Sequence, residues 1–67
     1  MMGVGIKFIG GPADGRLTFI PEDPMDPPLL HELLMVSGRK AMYERQVNPG
    51  DQGPLWLYRY IAEAEEG

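Results

Sequence analysis

The 67 residues suffice for one small domain and no more. No cysteine is present, so disulfides and thiolate metal sites are excluded, and His31 is the only imidazole for any nitrogen-rich site. Ten acidic residues against six basic ones give a net charge of −4, which argues against direct nucleic-acid binding, a process driven by Lys and Arg.

A chain this short buries only about 60% of its unfolded surface, so its core is thin. With disulfides excluded and no cofactor or metal expected, a homo-oligomer or docking on another protein is the expected supplement. No apolar run is long enough to span a bilayer, and no secretory signal opens the sequence. A cytoplasmic location and no membrane partner are therefore expected.

Val4, Ile6 and Phe8 alternate with Gly5, Lys7 and Ile9, the period of a strand with one buried face. The turn signal Gly10-Gly11-Pro12-Ala13-Asp14-Gly15 follows, then a second alternating run through Leu17 and Phe19, so the start of the chain reads as a β-hairpin. The turn lacks the Lys-Ser/Thr ending of a phosphate loop. Pro21, Pro24 and Pro27 recur every three residues, which predicts an extended polyproline II run over 21–28, lying on the surface and blunting a sheet edge.

Residues 29–36 read as a strand or a short helix, with the strand favoured by length and by a two-residue Ser37-Gly38 turn after it. Residues 40–47 alternate again, with Ala41, Tyr43, Arg45 and Val47 on one side. Residues 48–54 form a loop, and 55–61 a strand rich in strand formers. Residues 62–67 lose the pattern, which predicts fraying or a short helical turn. The sum is an all-β, or β-rich α+β, domain over residues 1–67, an antiparallel meander of four or five strands able to curl into an open barrel.

Catalytic chemistry finds little support. Ser37 and His31 are the only serine and histidine, and their spacing recommends no nucleophilic triad. Two acidic clusters, Glu22, Asp23 and Asp26, then Glu63, Glu65 and Glu66, read first as solvated loop and tail. If they shared one face they could mimic DNA phosphates. Trp56, Tyr58 and Tyr60 form an aromatic stripe that either packs the core or anchors a protein interface. Leu30, Leu34 and Met35 are a second candidate interface, as an exposed apolar patch.

The opening from Val4 to Arg16, the Met42-Tyr43-Glu44-Arg45 run and Leu55-Trp56-Leu57-Tyr58-Arg59 together resemble a loose group of small proteins from actinobacteria and their bacteriophages. The resemblance spans about two-thirds of the chain and implies a phage-type product without established enzymatic activity. It implies a protein that binds a host protein or joins the virion. Residues 29–36 depart from the group and are where specificity is expected to lie. The expectation is thus a non-enzymatic interaction protein, with a virion component or a DNA-mimicking inhibitor as alternatives.

Overall fold

Alternation of large apolar residues with small or polar ones generates the strands, and the computed structural model describes them over residues 2–50 and 53–65, the side chains of Ala64 and Glu65 excepted. The elements are β1 (Val4–Ile9), a single 3-10 turn (Gly11–Ala13), β2 (Leu17–Ile20), β3 (Leu30–Leu34), β4 (Arg39–Val47) and β5 (Trp56–Glu65). They form one sheet in the order β2-β1-β5-β4-β3, curled into a half-barrel. The all-β class holds, and the strand read for residues 29–36 is found over Leu30–Leu34.

The connection differs from a simple meander. Two antiparallel pieces, β1–β2 and β3–β4–β5, are joined by a parallel pairing of β1 with β5 that sets Ile6 beside Trp56 and Phe8 beside Tyr58. No local pattern announces such a pairing, because it joins strands remote in sequence. It also puts β2 and β3 at opposite edges, about 19 Å apart at four strand spacings of ~4.8 Å.

The chain between them must cross the sheet. Residues 21–29 can span roughly 30 Å when extended, and they pass over the concave inner face instead of running as a polyproline II edge. An Asp23–Asp26 turn, with its Asp26 N–H to Asp23 O bond of 3.1 Å, breaks the three-residue repeat, and Pro27 is fully buried. Proline suits this position because it brings no N–H that burial would leave without a partner.

Two boundaries also shift. The β3–β4 turn has three residues, not two: Met35 N–H bonds Arg39 O and Gly38 N–H bonds Met35 O, with Gly38 at φ 87°. The last strand does not end at residue 61. Its pairing with β4 skips Ile61, setting Tyr60 opposite Tyr43 and Ala62 opposite Met42, and the ladder then continues to Glu65. That β-bulge resets the alternation, which is why residues 62–65 lose strand periodicity in the sequence.

The inner face carries the core: Val4, Ile6, Phe8, Ile20, Ala41, Tyr43 and Tyr58 from the strands, with Ala13 from the 3-10 turn. Leu33, Met35, Trp56 and Tyr60 pack around it.

Candidate functional site

The inner face is closed by the chain's own loops. The Gly10–Gly15 loop folds over one end, where the Tyr43 hydroxyl accepts from Ala13 N–H at 3.1 Å and donates to Gly10 O at 2.9 Å. Asp14 accepts from Gly10 N–H at 2.6 Å. Gly11 has φ 65°, and a Cβ there would lie 2.5 Å from the Tyr60 ring and 2.8 Å from the Tyr43 hydroxyl. Only glycine lets the loop sit this close to two tyrosines.

The proline segment closes the other end. Three side chains rise from the sheet to its proline carbonyls: Trp56 Nε1 donates to Pro24 O at 2.8 Å, Tyr58 Oη to Pro28 O at 2.5 Å, and Arg45 Nη1 to Pro27 O. Arg45 also pairs with Asp26 at 2.8 Å and lies 5.0 Å over the Trp56 ring. Beneath this strap Phe8, Tyr43, Tyr58 and His31 form edge and tilted ring contacts at 4.7–6.4 Å. Burial lowers the His31 pKa, with Glu22 pulling the other way, and burial raises that of Tyr58.

The aromatic stripe is therefore core and strap anchor, a correction to its candidacy as an interface: Tyr58 has no exposed surface, and Trp56 and Tyr60 are partly buried against the core. Gly10-Gly11 and the string of prolines were the signals for this closure, but neither names its tyrosine or arginine partner. Met35 also packs on the core, whereas Leu30 and Leu34 are exposed on the opposite face. The patch proposed for these three is thus split between the two sides of the sheet.

The acidic clusters are separated too. Pro24, inside the first, is tied to Trp56 at the start of β5, while Glu63 lies near the end of that strand and pairs with Arg39 at 3.3 Å. Along β5 the positions that hold the first cluster, Trp56 for Pro24 and Tyr58, opposite Arg45, for Asp26, lie about 16–23 Å from Glu63. The side chain of Glu65 and the whole of Glu66 lie outside the described residues. Among the described residues no three His, Asp or Glu side chains gather as a metal site, and no helix is long and apolar enough to cross a membrane.

The outer face presents the only extended surface left without a covering segment of the described chain. Strand alternation places Leu17 and Phe19 on it from β2, Lys7 and Ile9 from β1, and Leu57 and Arg59 from β5. Leu30, Glu32 and Leu34 reach it from β3, and Lys40, Met42, Glu44 and Gln46 of β4 stand between them and β5. Phe19 is 71% exposed, Leu17 67% and Leu34 63%. Between Gly5, Leu17, Phe19 and Pro54 lies an apolar hollow of about 330 Å³, open because Gly5 has no side chain and a Cβ there would touch nothing. Lys7 and Arg59 carry no ion pair among the described residues.

One curled sheet, closed on its inner face by its own loops and carrying mixed apolar and charged residues on its outer face, defines a small β domain. Residues 4–62 match the family described as Domain of unknown function (DUF8847). The chain belongs to that family. Comparison with curated proteins and with solved structures gives no match.

Proposed function

We propose that this is a non-enzymatic interaction protein that binds another protein through the outer face of its sheet. The observation that carries the reading is the contrast in covering: every large aromatic of the inner face is packed or strapped, while Leu17, Phe19, Leu30 and Leu34 stand in solvent. Contiguous exposed apolar patches mark interaction surfaces, and Leu17 and Phe19 form one around the hollow beside Gly5 and Pro54. The resemblance to small actinobacterial and phage proteins favours a host protein as the partner.

The test is a tagged capture from actinobacterial lysate, comparing the wild type with a Leu17→Asp/Phe19→Asp variant whose fold is checked by circular dichroism. A stoichiometric protein held by the wild type and lost by the folded variant supports the reading. Capture unchanged by the variant contradicts it.

A further inference from the structure

Antiparallel pairing decides which backbone groups of β2 are spent. Phe8 N–H donates to Arg16 O at 3.0 Å, and the register sets Ile6 opposite Thr18 and Val4 opposite Ile20. Thr18 and the carbonyl of Arg16 therefore turn to β1, while Arg16 N–H bonds Ala13 O and Ile20 O accepts from Glu22 N–H; Leu17 and Phe19 direct their backbone groups off the free edge. The two residues with open hydrogen-bonding groups are also the two with the most exposed side chains on this edge.

Sheet edges are ordinarily blunted by charge, proline or a bulge. The opposite edge, β3, follows Pro28 and carries Glu32, which pairs with Lys40 at 3.3 Å. Residues 17–20 contain neither charge nor proline. Lys7, directly opposite Leu17, stands on the outer face and has no ion pair among the described residues, whereas Arg16 lies on the inner side near Leu33 and Met35. An added strand would lie about 10 Å from Lys7, two strand spacings away, within reach of a lysine meeting an acidic side chain. The hollow between Gly5, Leu17, Phe19 and Pro54 lies beside the same edge.

We propose that the β2 edge takes an extended, acidic segment of a partner protein as a sixth strand. The segment bonds the backbone of Leu17 and Phe19, sets a large apolar side chain into the hollow, and offers a carboxylate to Lys7 on the same face. This is strand addition, with backbone pairing giving affinity and alternate side chains giving specificity. The inference rests on the reading of the outer face as the contact surface and adds the chemistry of what it contacts.

The experiment is selection of a random ten-residue peptide library displayed against the immobilised full chain. The selected peptides are then titrated against the wild type, Lys7→Glu and Phe19→Lys by amide NMR. Expected are peptides that carry an Asp or Glu two residues from a large apolar residue, so that both fall on one face of the added strand, with shifts centred on Leu17 and Phe19. Their affinity falls about tenfold in Lys7→Glu, and it weakens as salt screens the charges. Phe19→Lys, with its spectrum otherwise native, loses binding. Selection of neutral or basic peptides, shifts centred on β3, salt-indifferent affinity or no enrichment overturns the proposal. So does a second copy occupying the edge, seen as a concentration-dependent dimer with the same amides shifted. If capture of a lysate partner needs Phe19 while the peptides are not acidic, the strand inference fails and the interaction reading stands.

Discussion

The two faces of one sheet have opposite fates in this protein. On the inner face, side chains from β1, β4 and β5 are buried beneath two loops, and each buried side-chain polar atom has a hydrogen-bond partner among the described residues. On the outer face, residues of the same strands, one position along, meet no covering segment. Strand alternation alone assigns residues to these faces, so neighbours in sequence such as Thr18 and Phe19 serve different ends. The inner face holds the fold together; the outer face lies uncovered by the described chain.

Substitutions that respect this division have effects of very different size. The largest is expected for Tyr58→Ala, which empties the centre of the inner face and removes the hydroxyl that holds Pro28. Aromatic-to-alanine changes in cores cost about 3–5 kcal/mol, enough to leave so small a domain largely unfolded at room temperature by circular dichroism. Tyr43→Phe keeps the ring and strips the hydroxyl that satisfies Ala13 N–H. Leaving such a buried donor unpaired costs about 1–3 kcal/mol, read as a lower urea midpoint with an unchanged slope.

A smaller effect comes from His31. Burial depresses its folded-state pKa below the ordinary 6.5, so the unfolded chain takes up a proton first as pH falls. The contribution is intact above pH 6.5 and is lost as pH falls through the folded value. Thermal melts between pH 7 and pH 5 are expected to show this loss, with its His31-dependent part absent in His31→Phe. The smallest stability effect belongs to the outer face, where Phe19→Lys is expected to stay within about 0.5 kcal/mol of the wild type, as exposed substitutions do.

Much of this division was legible in the sequence. Alternation in 4–9, 40–47 and 55–60 assigned Phe8, Tyr43 and Tyr58 to consistent faces, and the glycine-rich turn announced the β1–β2 hairpin. The choice of which face of β5 is buried was left open there, because Leu55, Leu57 and Ile61 rival the aromatics in apolar character. It is decided by partners distant in sequence: Pro24, Pro27 and Pro28 supply the carbonyls that Trp56, Arg45 and Tyr58 need. The three-residue proline spacing suggested a surface spacer because the demand to cross the sheet follows from strand order, which depends on the parallel β1–β5 pairing. The candidate contact surface was legible only in Leu30 and Leu34; Leu17 and Phe19 were visible as strand residues but not as the outer side of an open edge.

Urea unfolding of Leu17→Asp/Phe19→Asp beside Tyr43→Phe tests the division of labour most directly. The account predicts a near-native midpoint for the doubly charged outer variant and a clearly lowered one for the loss of a single inner hydroxyl. An outer variant that unfolds at lower urea than Tyr43→Phe would show that the exposed face carries the fold, and would contradict the account.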